Sequence, residues 1–212
     1  MLNISCWNSD WATPSSKRGK FFSDKFDSDI ICLTEGYETL LPQDGYIISS
    51  NEDYGYKIQK GRRKVILWSK NKWTEVNQIG SKEIPTGRFI SGVTNGIKIV
   101  GLCIPWRFAH VRTGRKDRKP WEDHLSFIKN LSFSNEKTII LGDFNQNIPK
   151  KNQPEIVFSS LQNMIDGFKL LTTNMGLIHI VISSDLNAEK IKGIATEKNS
   201  DHDGISCSIK FA

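Results

Sequence analysis

The chain has 212 residues, which is enough for one large hydrophobic core, and we expect a single domain spanning residues 1–212. Its 29 Lys and Arg residues exceed its 23 Asp and Glu residues, so the formal net charge of +6 suits a polyanionic partner without naming one. The sequence contains no apolar run of 18 residues and does not begin with a basic segment followed by an apolar leader, so we expect a cytoplasmic protein without a membrane span.

Short apolar, β-branched segments dominate the first half of the chain and predict strands. These segments are 2–7, 29–35, 46–50, 64–69, 73–79, 89–93 and 97–104. One helix is expected within residues 15–27, where Phe21, Phe22 and Phe26 are spaced to share a face. Because the middle strands follow one another without long helices between them, they favour antiparallel meanders.

The second half of the chain alternates strands with two amphipathic helices. The helices are expected at 121–131, opened by Pro120, and at 154–166. Strands are expected at 138–141, 177–183 and 205–211. Residues 185–199 are polar, and we expect an irregular excursion with short helical character there.

The four cysteines indicate a structural role. Cys6, Cys32, Cys103 and Cys207 each lie inside an apolar, strand-like run, and none forms a Cys-x-x-Cys pair. We therefore expect reduced core side chains rather than a zinc site or a disulfide framework.

The segment Gly142-Asp143-Phe144-Asn145 directly follows a buried strand, at the point where that strand reaches the edge of its sheet. Alternate side chains on an extended backbone point the same way, so we expect the Asp143 carboxylate and the Asn145 carboxamide to face one spot. A turn held by local hydrogen bonds of Asp and Asn is the alternative interpretation.

Other strand ends carry the same kinds of polar group. The residues concerned are Asn8, Glu35, Asp143, Asn145, Asp201 and His202. Sheet scaffolds commonly present functional groups at such positions, so we predict that these six side chains form one site.

Four segments, in order along the chain, resemble the endonuclease/exonuclease/phosphatase (deoxyribonuclease I-like) superfamily. They are Ser5-Cys6-Trp7-Asn8, Asp29-Ile30-Ile31-Cys32-Leu33-Thr34-Glu35, Gly142-Asp143-Phe144-Asn145 and Ser200-Asp201-His202-Asp203-Gly204. The resemblance implies an α/β (α+β) four-layer sandwich, in which two mixed, mostly antiparallel β-sheets pack face to face with helices on the outside. It also implies hydrolysis of a phosphate ester with Mg²⁺ or Mn²⁺.

The resemblance further implies a role for each strand-end residue. Glu35 and Asp201 would be the metal ligands, since hard divalent cations need only one or two carboxylates and keep several waters. Asn8 would orient Glu35 and the phosphate, and Asp143 would position or deprotonate the attacking water. Asn145 would donate to a phosphoryl oxygen, and His202 would stabilise charge on the five-coordinate phosphorus.

One departure from the family concerns the support of His202. In the family an aspartate within a strand usually holds the catalytic histidine, whereas here the corresponding position is Ile178 or His179. Without that carboxylate, stabilisation of the transition state should be weaker. Asp185, just beyond the strand, is a candidate substitute.

A second departure lies at Ile104-Pro105-Trp106-Arg107, where relatives carry a histidine or tyrosine that touches the phosphate. Arg107 or His110 is a candidate for that role, because a guanidinium binds phosphate well. His110 is alternatively a solvated loop residue, and His124 is expected to be structural.

The most basic stretch of the chain follows these residues and bears on the substrate. Its candidate phosphate-binding and nucleic-acid-binding residues are Trp106, Arg107, His110, Arg112, Arg115, Lys116 and Arg118. Gly61-Arg62-Arg63-Lys64 adds a second basic cluster. Cations neutralise phosphates and exposed aromatic rings stack on bases, so we predict a metal-dependent nuclease acting on DNA more readily than RNA. Two alternatives stay open: a phosphatase or phosphodiesterase acting on a small or lipid phosphate ester, and a nucleic-acid-binding relative without catalysis.

Overall fold

The computed structural model of the protein describes residues 1–53, 55, 57–78, 86–112, 114 and 117–210. Within these residues the strands are β1 (Leu2–Asn8), β2 (Ile30–Tyr37), β3 (Tyr46–Ser49), β4 (Arg62–Ser69), β5 (Thr74–Asn77), β6 (Phe89–Thr94), β7 (Ile97–Cys103), β8 (Thr138–Asp143), β9 (Lys169–Leu170), β10 (Ile178–Ile182), β11 (Asn187–Ile194) and β12 (Gly204–Lys210). The helices are α1 (Lys17–Ser23), α2 (Ala109–Arg112), α3 (Glu122–Lys129) and α4 (Glu155–Met164). The last residues of the strands expected at 73–79 and 205–211 lie outside the described part of the chain.

The strands form two six-stranded mixed sheets. The first has the order β11-β12-β1-β2-β4-β3, and the second has the order β5-β6-β7-β8-β10-β9. Each sheet contains one parallel pair, β1 with β2 and β7 with β8, and the other neighbours are antiparallel. The predicted α/β fold with two mixed, mostly antiparallel sheets is confirmed.

Alternation along the strands places one set of side chains between the sheets. Ile4 and Cys32 of the first sheet share a buried apolar cluster with Ile99 and Ile180 of the second. Each fully buried aliphatic side chain of this kind contributes about 1.5–3 kcal/mol relative to exposure. This cluster is the central layer of contact that holds the two sheets face to face.

The opposite faces of the sheets are covered by helices. Trp7 of β1 packs edge-on against Phe22 of α1, with ring centroids 6.0 Å apart. Val100 of β7 shares a second buried cluster with Phe127 of α3 and Leu161 of α4. The layers therefore run α1, first sheet, second sheet, α3 with α4, as expected for a four-layer sandwich. Among the helices of the described residues, none combines the length and apolar character needed to cross a membrane.

The cysteines occupy the core, as predicted. All four are buried and unpaired with one another by disulfides. Burial raises the pKa of Cys103 to about 12, so this thiol stays protonated at neutral pH.

The prediction for residues 185–199 was wrong, because this segment contains the edge strand β11. Ala188, Ile191 and Ile194 recur every three residues, which mimics one face of a helix. A register shift against β12 between Glu189 and Lys192 explains the spacing, since an extra residue in a strand changes which side chains face the core.

Candidate active site

One cavity of about 680 Å³ opens at the end of the sandwich where β1, β2 and β8 finish. All six strand-end residues predicted to share a site line it: Asn8, Glu35, Asp143, Asn145, Asp201 and His202. The sheet register explains the convergence. Cys6 pairs with Ile205 in antiparallel β12, so the turn before β12 lies beside the end of β1. Residues from the beginning, middle and end of the chain thus meet in one place.

Asp143 is the most buried carboxylate of the cavity, with 2% of its surface exposed. Its Oδ2 accepts a hydrogen bond of 3.0 Å from Asn8 Nδ2, and its Oδ1 accepts one of 2.9 Å from the Asn145 backbone N–H. Burial raises the pKa of Asp143, while the nearby His202 acts in the opposite direction. The carboxyl is consequently a better proton acceptor than an exposed aspartate once it is ionised.

The residue before Asp143 must be glycine. Gly142 has a φ of 145°, and a Cβ at this position would lie 1.9 Å from the Leu102 carbonyl oxygen of the neighbouring β7. Only glycine permits both that backbone conformation and so close an approach. The motif therefore fixes where β8 ends and how Asp143 enters the cavity.

Asn145 reaches the cavity by a different route from the one predicted. Its φ is 52°, in the left-handed region, so the extended alternation expected from Asp143 to Asn145 is wrong. The Asp143 side chain accepts the Asn145 N–H in a local turn, and Asn145 Nδ2 donates to the Ile104 carbonyl oxygen over 2.8 Å. The alternative interpretation, a local turn, is therefore correct for this segment. The turn also places the Asn145 side chain in the shared cavity.

Glu35 is held by an unusual backbone conformation. Its φ is 52° although it lies within β2, and its carbonyl oxygen accepts hydrogen bonds from Trp11 N–H (2.7 Å) and Ser9 Oγ (2.8 Å). A non-glycine residue in this region costs about 1–3 kcal/mol and persists only where its surroundings impose it. The Glu35 side chain faces the cavity and contacts the ammonium of Lys64 on the adjacent strand β4.

Asn8 contacts a different partner from the one implied by the resemblance. Its Nδ2 donates to Asp143, and its Oδ1 accepts the backbone N–H of Asp10 over 2.8 Å. One N–H of this buried carboxamide and its oxygen are therefore used away from Glu35, and the carboxylate that Asn8 contacts is that of Asp143.

His202 lies between two carboxylates. Its Nε2 is 3.7 Å from Asp143 Oδ2 and 3.6 Å from Asp201 Oδ1. Asp201 is well exposed at the cavity rim, with 71% of its side chain accessible. The carboxylates beside His202 are therefore those of Asp143 and Asp201.

The position expected to support His202 contains an apolar residue. Ile178 pairs with Asp143 across β8 and β10 and is buried between the sheets. Asp185 is not a substitute, because it accepts hydrogen bonds from Ser183 Oγ and from the backbone N–H of Lys137. Lys137 precedes β8, and Asp143 ends that strand, so roughly 20 Å of extended backbone separates them.

A buried hydrogen-bond chain supports the loop that carries Asp143 and Asn145. His124 Nδ1 donates to the Pro105 carbonyl oxygen (2.6 Å), and its Nε2 accepts from Gln146 Nε2 (2.6 Å). His179 Nε2 donates to the Gln146 carbonyl oxygen (2.9 Å), and its Nδ1 accepts from Thr172 Oγ1 (2.9 Å). Burial lowers the pKa of His124 to about 4, so both nitrogens keep these roles at neutral pH. His124 is structural, as predicted.

Cationic and aromatic side chains complete the cavity lining. They are Lys57, Arg62, Lys64, Arg88, Arg112, Trp11 and Trp106. Arg88 is 1% exposed and donates to the Cys103 carbonyl oxygen over 3.2 Å. Sequence reasoning missed Arg88 and Trp11, because a single arginine in Gly87-Arg88 and a tryptophan beyond a strand end carry no distinctive spacing.

The second basic cluster divides by strand alternation. Arg62 and Lys64 point to the cavity, and the Arg62 guanidinium lies 4.8 Å from the centroid of the Trp11 ring. Arg63 points to the other face, where it pairs with Glu52 at 2.7 Å. Alternation from the end of a predicted strand was the signal that separates these neighbours.

The structure brings only part of the basic loop to the cavity. Trp106 and Arg112 line it, whereas Arg107 is exposed elsewhere, with its guanidinium 4.7 Å from the Phe108 ring. His110 is 6% exposed, so the solvated alternative for this residue was wrong, and it does not line the cavity. Arg118 Nη1 pairs with Asp123 at 2.8 Å. The predicted residues Arg115 and Lys116 lie outside the described part of the chain.

Comparison with known proteins identifies the group to which this arrangement corresponds. Residues 13–151, well over half of the chain, match the sequence profile of the Endonuclease/Exonuclease/phosphatase family. The chain belongs to this family. Membership agrees with the two mixed sheets and with the placement of the Gly142–Asn145 segment at the end of β8.

Solved structures of the family share its fold with this chain. An AP endonuclease from Archaeoglobus fulgidus superposes with a TM-score of 0.71 at 14% identity, covering 99% of this chain and 100% of that one. The 3′ phosphatase NExo from Neisseria, bound to product DNA hairpin, gives 0.67 at 15% identity with 100% of both chains covered. Humanized D. rerio TDP2 gives 0.62 at 17% identity, covering 99% of this chain and 98% of that one. At these identities the likeness shows the fold alone. No protein of curated function matches the chain by sequence at a significant level.

The oxygen donors of the cavity fit the hard divalent cations used by the Endonuclease/Exonuclease/phosphatase family. Glu35 and Asp201 present carboxylates to it, and Mg²⁺ usually requires only one or two carboxylates with water completing its coordination. No His, Cys, Asp and Glu cluster of three or more is arranged to hold a metal within the residues that the structure describes. A site built from two carboxylates and water is compatible with that finding.

Proposed function

We propose that this family member is a divalent-metal-dependent phosphodiester hydrolase that cuts nucleic acid by in-line attack of an activated water, with DNA as the favoured substrate. The observation that carries the proposal is the single cavity lined by Asn8, Glu35, Asp143, Asn145, Asp201 and His202. Because these residues span positions 8 to 202, residues 1–212 act as one catalytic domain in this proposal. The Neisseria phosphatase bound to product DNA hairpin supports DNA as the substrate class.

Asp143 is assigned the activation of the attacking water. Its two hydrogen-bond donors, the Asn8 side chain and the Asn145 backbone N–H, favour the ionised carboxylate, and its raised pKa makes that carboxylate a stronger acceptor for the proton of the water. The water oxygen bonds to phosphorus as the ester bond on the opposite side breaks. Asn8 therefore acts through Asp143, and we assign it as a positioning residue.

The remaining polar groups are assigned to the phosphoryl oxygens and the metal. Glu35 and Asp201 would hold Mg²⁺ or Mn²⁺, which when bound supplies a positive charge for the developing negative charge on phosphorus. His202 lies beside Asp143 and donates to a phosphoryl oxygen when it is protonated. Asn145 is the second donor to those oxygens.

The cavity wall favours a polyanionic substrate. Arg62, Arg88 and Arg112 supply guanidinium groups, which bind phosphate oxygens in pairs. Trp106 is 38% exposed in the same wall and offers a ring for stacking against a base. A substrate with several phosphates and bases uses both features, whereas a small phosphate ester uses only the first.

Substrate comparison with site variants tests the proposal. The protein should be incubated with supercoiled plasmid, single-stranded DNA, RNA and phosphoinositides in Mg²⁺ or Mn²⁺. We expect plasmid nicking that Glu35→Gln and Asp143→Asn each reduce at least about 10³-fold. Asp166→Asn, which changes an exposed carboxyl after α4, is the matched control and should retain the activity.

The other outcomes separate the competing functions. Phosphate release from small esters without nicking would support a phosphatase. Salt-sensitive nucleic-acid binding without turnover in either metal would support a binding module. Nicking that survives both carboxyl substitutions would contradict the assigned site.

A further inference from the structure

Lys64 is a buried cation placed directly against a proposed metal ligand. In the register of β2 and β4, Thr34 pairs with Val65 and Gly36 with Arg63, so Lys64 lies opposite Glu35. Its ammonium contacts Glu35 Oε1, and only 4% of its side chain is exposed. The side chain passes the Trp11 ring, with Nζ 5.1 Å from the ring centroid.

A buried lysine needs a counter-charge, since an isolated ammonium is costly to remove from water. Glu35 is the carboxylate that the structure shows in contact with it, and the Glu35 side chain is 20% exposed toward the cavity. The same carboxylate is the proposed metal ligand. Two cations on one carboxylate repel each other, and the repulsion grows as water is excluded.

The charges around the cavity strengthen this conflict. The described residues that line it include five Lys and Arg side chains and four Asp and Glu side chains. A divalent cation therefore enters a wall whose fixed side-chain charges already sum to +1. Of those five cations, Lys64 is in direct contact with Glu35.

We propose that Lys64 is a built-in competitor for the metal site: its ammonium occupies the Glu35 carboxylate and weakens the binding of a divalent cation there. The inference rests on the proposed function, because it takes Glu35 as a metal ligand. Lys64 sets how much divalent cation the site needs, and it does so through Glu35 without being a metal ligand itself.

Titration with Mn²⁺ alone tests the competition without measuring activity. Free Mn²⁺ should be followed by electron paramagnetic resonance for the wild-type protein and for Lys64→Met, which has a similar length without the charge. We expect Lys64→Met to lower the Kd for Mn²⁺ by at least about fivefold, since removing one adjacent unit charge changes the attraction by that order even in water. Lys64→Arg keeps the charge and should bind Mn²⁺ as the wild type does.

Two further variants isolate the role of contact. Lys57→Met removes a charge that lines the same cavity, and it should change the Kd less than Lys64→Met. In a Glu35→Gln background, Lys64→Met should no longer tighten binding. Thermal unfolding of each variant shows whether the protein is folded. If Lys64→Met is unstable, Lys64→Arg still tests the proposal. An arginine variant that binds Mn²⁺ more tightly than the wild type contradicts competition by charge.

The failures of the two proposals are distinguishable. Mn²⁺ binding that is unchanged or weakened by Lys64→Met overturns the competitor role and leaves the nuclease proposal standing. Absence of Mn²⁺ binding in both the wild type and Lys64→Met overturns the competitor role together with the metal dependence of the proposed function.

Discussion

The carboxamide of Asn8 donates a hydrogen bond to Asp143 Oδ2 over 3.0 Å, and this contact joins the end of a strand in the first sheet to the end of a strand in the second. The two residues are 135 positions apart in sequence. Both are 2% exposed, so the bond lies in a dry part of the cavity floor, where a hydrogen bond to a charged group is worth about 1.5–3 kcal/mol. The position of the proposed general base thus depends on how the two sheets are packed.

Removal of the Asn8 donor should destabilise the ionised form of the Asp143 carboxyl. A hydrogen bond to a carboxylate favours its charged state, so Asn8→Ala should raise the pKa of Asp143 further and lower kcat about 10- to 100-fold. The acid limb of the kcat/KM profile should move to higher pH. Plasmid nicking measured between pH 5 and 9 checks both effects. Asn163→Ala, on the exposed side of α4, is the control, and an unshifted acid limb in Asn8→Ala would count against the assignment of Asp143 as the base.

Arg112 should contribute to binding through charge alone. It is exposed and lines the cavity, so Arg112→Ala should weaken DNA binding and reduce the slope of log K against log salt by about 1. Fluorescence anisotropy with a catalytically inactive Asp143→Asn background at several salt concentrations measures that slope. Lys129→Ala removes an exposed charge at the end of α3, away from the cavity lining, and should leave the slope unchanged. Equal slopes for both variants would place the DNA elsewhere.

Gly142→Ala should destabilise the whole domain. The added Cβ would lie 1.9 Å from the Leu102 carbonyl oxygen at a φ of 145°, so either β8 or β7 must move. We expect a loss of at least about 2 kcal/mol in the free energy of unfolding, measured by urea denaturation. Gly96→Ala is the comparison, because it also has a positive φ of 71° but nothing lies within 4 Å of its added Cβ. Similar losses in both variants would show that the close approach to β7 is unimportant.

Stability should fall in mild acid because of His124. Burial lowers the pKa of His124 to about 4, while an unfolded histidine titrates near 6.5. Below pH 6.5 the unfolded state therefore binds the proton more strongly, and stability is lost as the pH falls toward 4. This residue alone should cost about 2 kcal/mol between pH 7 and pH 5. Urea denaturation of the wild type and His124→Gln at both pH values isolates the effect: the variant should show the smaller pH dependence, and parallel curves would contradict it. His179, whose pKa burial also lowers, acts in the same direction in both proteins.

Local sequence was sufficient for most strands and for the position of Asp143. An apolar run that ends in Gly-Asp predicts a buried strand and its edge without knowledge of the partner strands, because side-chain alternation and glycine geometry are local properties. The prediction for residues 185–199 failed for the same reason. The spacing of Ala188, Ile191 and Ile194 depends on a bulge against β12, and a single strand does not reveal where its neighbour shifts register.

The candidate site also has features that the sequence predicts and features that it does not. The polar residues at the ends of strands were identifiable from their place in the sequence, and the structure brings all six to one cavity. Their pairings were not identifiable: Asn8 contacts Asp143 instead of Glu35, and Arg88 enters the cavity without any sequence signal.

By itself, the sequence determined that Asn8 and Asp143 end their strands and which face of each strand is apolar, because these depend on residues one to four positions apart. It placed the end of β2 at Glu35, two residues too early, because the pairing of Gly36 and Tyr37 with β4 is not a local property. Only the tertiary structure decided that Lys64 lies against Glu35 and that His202 lies between Asp143 and Asp201. Those contacts depend on sheet order and register, which arise from packing among strands that are distant in the chain.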